Sequence, residues 1–155
     1  MLNKNFNRLL SGYLTKVNPV SEEHNAIDGT KTSASTGSLS NTSDVSTYKK
    51  LDSNSQGTTG LFLFTETFNE TIETYTVPTE YTNYSVTVKS INSLSSDVVL
   101  SYSRTIMPIE DGLIKSIGII INYMKPVLIA FENLAEPVQL TAGEPHTFTF
   151  TIKVA

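Results

Sequence analysis

Glu66, Glu70 and Glu73 crowd one short stretch of this 155-residue sequence, and carboxylates are the first groups to examine for acid–base chemistry in a chain that has no cysteine. Glycoside hydrolysis needs two carboxyls facing each other across a cleft at a defined separation, a geometry that clustering in sequence does not supply. Beside the stretch TIETYTV (71–77), which reads as a strand, these glutamates are better explained as charges that keep a sheet edge soluble. Glu110-Asp111-Gly112 offers oxygen ligands but lacks the spaced ladder of a calcium loop, and reads as a hairpin turn. The two histidines, His24 and His146, stand far apart with no second nitrogen or sulfur ligand near either in sequence. Gly57-Thr58-Thr59-Gly60 has the glycines of a phosphate loop without its lysine or following helix, and no serine sits in a G-x-S-x-G elbow. The expectation is a protein that is not an enzyme, with no catalytic, cofactor-binding or metal-binding residues and no cofactor.

Composition narrows the partners. A net charge of −4, with no Lys/Arg cluster larger than Lys49-Lys50, argues against binding nucleic-acid backbones, which takes a concentrated basic surface. The absence of cysteine fits folding in a reducing compartment. The first residues, MLNKNFNRLLSGYLTK, lack the apolar stretch of about 7–15 residues found in a secretory signal, and Ile119-Ile120-Ile121 is far short of a membrane span, so a soluble, unexported product is expected. Only 17% of residues are charged, while Ser, Thr and Asn are frequent; Thr, Tyr, Val, Ile and Phe suit pleated surfaces. The balance points to an all-β protein.

Three segments follow from patterning. In residues 1–18, Phe6, Leu9, Leu10, Tyr13, Leu14 and Val17 recur at helical spacing up to Pro19, predicting an amphipathic helix that must dock on its own domain or on another subunit. Residues 19–59 are dominated by small polar residues that cannot offset the entropy of ordering, with isolated apolar beads at Ile27, Leu39, Val45, Tyr48 and Leu51. They read as an extended polar arm that touches a partner at separate points, or equally as a free linker. Residues 60–155 carry strand patterns at 61–65, 71–77, 84–91, 97–107, 113–123, 127–132, 138–141 and 146–154, separated by PTEYTN, NSLSS, PIEDG, NYMKP, NLAEP and TAGEP. Seven or eight short strands predict an antiparallel β-sandwich, Ig-like or jelly-roll-like. In HTFTFTIKV, Phe148, Phe150, Ile152 and Val154 alternate with Thr147, Thr149, Thr151 and Lys153, so one face points to a core and the other to solvent or a partner.

In the C-terminal third, Ile114, Ile117, Gly118 and Ile119 fit an I-x-x-I-G-[LI] strand, Val127 to Ala130 a short VLIA strand, Pro137 a turn, Ala142-Gly143 an AG corner, and residues 147–154 a closing Thr-rich strand. This succession resembles a pattern found in small virion proteins of tailed bacteriophages. VVLSYSRTI resembles the preceding strand, and GTKTSASTGSLSNTSDVSTYKKLDS is similar to the family's lead-in, with Tyr48 and Leu51 in place but its proline missing. The match runs from about Gly29 onward and leaves residues 1–28 uncovered.

The resemblance implies a β-sandwich built into a virion, in the tail, at the head–tail junction or on the capsid surface, made in the host cytoplasm. Its partners would be copies of itself and other virion proteins, with no nucleic acid, no membrane and no small-molecule substrate. The expected assembly contacts are Phe6, Leu9, Leu10, Tyr13 and Leu14 on the helix, and Leu39, Tyr48 and Leu51 on the arm. The alternative is a carbohydrate- or receptor-binding module in which Tyr75, Tyr81, Tyr84, Tyr102 and Tyr123 supply stacking platforms.

Overall fold

The computed structural model describes residues 1–7, 23–33, 60–92, 98–123 and 125–153. A hairpin of two short strands, β1 (Glu23–Asn25) and β2 (Lys31–Ser33), precedes six longer ones: β3 (Gly60–Phe64), β4 (Tyr84–Asn92), β5 (Val98–Pro108), β6 (Gly112–Tyr123), β7 (Lys125–Leu140) and β8 (His146–Lys153). These form two antiparallel three-stranded sheets, ordered β3-β6-β7 and β4-β5-β8. The regular secondary structure of the described residues is almost entirely β, consistent with the all-β class that the composition predicts.

The sheets share one core. Leu61 and Leu63 of β3, Ile114 and Ile119 of β6 and Val127 of β7 pack with Tyr102 and Ile106 of β5 and with Phe148, Phe150 and Ile152 of β8. The alternation expected for β8 is present, with Phe148, Phe150 and Ile152 buried and Thr147, Thr149 and Thr151 exposed. In the β3-β6-β7 sheet the continuous apolar runs reflect burial on both faces. Its second face carries Phe62, Phe64, Ile120, Leu128 and Phe131, which gather around Phe68. Phe68 lies edge-on to Phe64 at 5.0 Å and stacked on Phe131 at 4.6 Å. Gly118 leaves room for this cluster, since a Cβ there would approach Phe64 and Leu128 to within 3.2 and 3.1 Å.

Two strand expectations are corrected. TIETYTV forms no strand: Thr74 and Thr71 bond each other's backbone and side-chain groups in a local turn, and Ile72 is exposed. Threonine hydroxyls here offer the backbone an alternative to a ladder. The segments 127–132 and 138–141 belong to a single strand, because NLAEP stays extended while its pairing to β6 lapses between Ser116↔Asn133 and Ile114↔Val138. Pro137, which cannot donate to a ladder, falls in the unpaired interval.

Described residues before Gly60 join the same packing. Leu2 bridges to Ala130 on the edge of β7, Leu2 and Phe6 pack on the shared core, Ala26 is buried, and Ile27 packs on the Phe68 cluster. Of the helix expected over 1–18, Lys4–Asn7 form a single turn, and residues 8–18 lie outside the described residues.

Placing a charge on the two faces of β8 tests this assignment. Phe150→Asp puts a carboxylate into the core and abolishes the cooperative thermal transition, whereas Thr149→Asp keeps the native circular dichroism spectrum and changes stability by under about 1 kcal/mol.

Candidate functional site

Of the residues expected to make assembly contacts, Phe6 is half-buried against the protein's own core. Leu9, Leu10, Tyr13, Leu14, Leu39, Tyr48 and Leu51 lie outside the described residues. The three clustered glutamates do not converge. Glu66 accepts a hydrogen bond from Thr79 (3.3 Å), Glu70 one from Asn133 (3.0 Å), and Glu73 pairs with Lys4. Each points to a different partner, and no acid–base pair forms among them. Among the described residues no group of three or more His, Asp and Glu is placed to hold a metal.

Glu110-Asp111 form the β5–β6 hairpin turn, and their contacts tie one end of the molecule together. Asp111 Oδ1 accepts the Ala142 N–H at 2.9 Å, Asn83 bonds the Glu110 carboxylate, and the Tyr81 hydroxyl donates to the Glu110 carbonyl at 2.6 Å. Of the tyrosines considered as stacking platforms, Tyr81 and Tyr102 are buried, Tyr84 is half-buried with its ring stacked on Tyr81 at 5.8 Å, and Tyr75 is half-buried within the 65–79 loop. Burial raises the phenol pKa of both Tyr81 and Tyr84; Glu110 and Asp111 add to the rise at Tyr81, while Arg104 opposes it at Tyr84.

Arg104 is a feature that reading the sequence missed. It lies on the inward face of β5 with Tyr102 and Ile106, only 3% exposed, its guanidinium 5.3 Å from the Phe62 ring centre and donating to the Tyr84 hydroxyl at 2.8 Å.

The outward face of the same strand is different in kind. Ser101, Ser103 and Thr105 on β5 face Thr151, Thr149 and Thr147 on β8, and each pair joins hydroxyl to hydroxyl at 3.1, 2.8 and 2.8 Å. In a sheet, neighbouring strands lie about 4.8 Å apart and same-face residues about 6.7 Å apart, so these hydroxyls make a regular, uncharged grid. β8 is at the end of its sheet, and among the described residues it pairs only with β5. Sheet edges are usually guarded by charge, yet the ionisable residues of β8 are His146 and Lys153, at its two ends.

On the opposite side of the core, the loop of residues 65–79 is held by polar contacts instead of a ladder. Asn133 brackets Phe68, accepting its N–H at 2.7 Å and donating to its carbonyl at 2.9 Å. Ser116 donates to the Glu66 carbonyl at 2.6 Å. Lys4 N–H reaches the Ile72 carbonyl at 2.9 Å, and the Asn3 amide bonds the Thr74 and Leu128 carbonyls at 2.9 and 2.8 Å. Asn3 Oδ1 in turn accepts the Asn5 N–H at 3.0 Å, and Asn5 Nδ2 donates to the Leu128 and Asn25 carbonyls. Both asparagines are fully buried. Between this loop and the β1–β2 turn lies a cavity of about 410 Å³.

Comparison with protein-family models, with curated proteins and with solved structures finds no match to this chain.

Two measurements check these contacts. Asn3→Ala strands buried donors and acceptors on both sides of the amide and lowers the unfolding free energy in urea by about 2–4 kcal/mol with little change in slope. Tyr81 and Tyr84 are held as neutral phenols, so their contribution is intact below the ordinary phenol value near 10 and is lost as pH rises through their elevated folded values. Stability therefore falls as pH rises above about 10; Tyr81→Phe, at a cost of about 1 kcal/mol near neutrality, shows a shallower decline.

Proposed function

We propose that the protein is a structural component of a tailed-bacteriophage virion, in the tail, at the head–tail junction or on the capsid surface, and that it works by fitting against copies of itself and neighbouring subunits. In this reading the two sheets form an Ig-like or jelly-roll-like β-sandwich, and the helix expected over residues 1–18 and the polar arm expected over 19–59 supply contacts to neighbouring subunits. The sequence resemblance supplies the virion setting.

The observation that carries the assembly reading is the outer face of β5 and β8, where Ser101, Ser103 and Thr105 pair with Thr151, Thr149 and Thr147 beside an edge free of further pairing among the described residues. Hydroxyls that already satisfy one another lose little on being covered, so the face can be desolvated at low cost. An open strand edge adds directional backbone bonds to an incoming strand, giving affinity without a large apolar patch. Repetition across a symmetric particle multiplies a weak contact of this kind.

Gel filtration with light scattering on the full chain tests the reading. The wild type forms oligomers that grow with concentration, and Thr149→Asp, which leaves the fold intact, remains monomeric. A wild type that stays monomeric up to about millimolar concentration and also fails to co-assemble with virion components would count against it.

A further inference from the structure

The cavity beside the 65–79 loop has the chemistry of a ligand site that assembly does not use. Its volume of about 410 Å³ lies within the roughly 300–1,000 Å³ typical of small-molecule sites. Asn25, Glu66, Asn69, Thr71, Glu73 and Tyr75 supply polar groups to its lining, while Phe68, Val77 and Pro78 supply carbon surface. Among the described residues no lysine or arginine lines it, which disfavours phosphate and other anions. Glu73 is matched by Lys4, which leaves Glu66 as the lining carboxylate with no cationic partner among the described residues. The side-chain amides of Asn25 and Asn69 form no hydrogen bond to another described residue. Donors and acceptors are thus interspersed, which suits hydroxyl groups; a cationic amine would call on acceptors alone.

The loop is also rigid where it needs to be. Its backbone is pinned at Glu66, Phe68, Ile72 and Thr74 by Ser116, Asn133, Lys4 and Asn3, so little ordering remains to be done when a ligand enters. A long connection without secondary structure that is nevertheless fixed from several directions is characteristic of binding loops.

We infer that this cleft binds a neutral sugar, one or two rings in size, with Glu66 and Asn69 bonding its hydroxyls and Tyr75 covering a carbon face. The inference does not depend on the virion reading.

The test is titration of the isotope-labelled full chain, followed by amide nuclear magnetic resonance, with glucose, galactose, mannose, N-acetylglucosamine and rhamnose, and with ethylammonium and inorganic phosphate as contrasting probes. At least one sugar shifts resonances confined to residues 66–77 and 25–29 with a Kd in the millimolar range. Glu66→Gln and Asn69→Ala, both at exposed positions, each weaken it about tenfold, a loss of about 1.4 kcal/mol, without altering the melting temperature. Thr149→Asp binds the sugar as the wild type does, so a failure of assembly and a failure of sugar binding remain distinguishable. Absence of localised shifts with every sugar, or shifts there with ethylammonium or phosphate alone, would overturn the inference.

Discussion

A sheet that is apolar on both faces must be covered twice, and most of what is distinctive here follows from that requirement on β3-β6-β7. One cover is the second sheet, through Tyr102, Ile106, Phe148, Phe150 and Ile152. The other is assembled from irregular chain: Phe68 and Val77 of the 65–79 loop, and Ile27 beyond β1. Burying about five large apolar side chains on that side contributes on the order of 10 kcal/mol before the entropy of ordering the loop is charged against it. Irregular chain has no ladder to satisfy its backbone, so the cover is bought with buried side-chain amides, Asn133 from below and Asn3 and Asn5 from the side.

This division gives the molecule two unlike surfaces. The β4-β5-β8 sheet needs only one cover, so its outer face is free to carry serine and threonine in paired rows. The side covered by the loop is sculpted, and the gap between the 65–79 segment and the β1–β2 turn becomes a cleft lined by the loop's own polar residues. A regular grid beside the end of a sheet favours repetitive contact between subunits, whereas a pinned concavity favours a small ligand. The grid and the cleft lie on opposite sides of the core, so contact through one leaves the other accessible.

The two kinds of surface were not equally legible in the sequence. HTFTFTIK announces a strand with one wet face because its alternation is strict, and the uninterrupted runs LFLF, IGIII and VLIAF belong to the doubly buried sheet. TIETYTV misleads because β-branched composition describes a pleated surface without saying whether a partner strand exists; here its threonines close a turn. Arg104 shares the parity of Tyr102, yet a charge on that face becomes tolerable only through Phe62 and Tyr84, which arrive from other strands. Asn3 and Asn5 look like any other asparagines in a chain rich in them, and their burial depends on carbonyls more than a hundred residues away. The cleft is invisible for the same reason, since Asn25 and Tyr75 meet only after the sheet has folded.

The claim that an irregular cover completes the core is tested most directly by native-state hydrogen exchange. The amides of Phe68, which bonds Asn133, and of Ile27, which bonds the Pro126 carbonyl, are predicted to exchange as slowly as those of central strand β6. Exchange of the Phe68 and Ile27 amides at the rate of an unstructured peptide, while β6 stays protected, would show that the sheet holds without its second cover and would contradict the account.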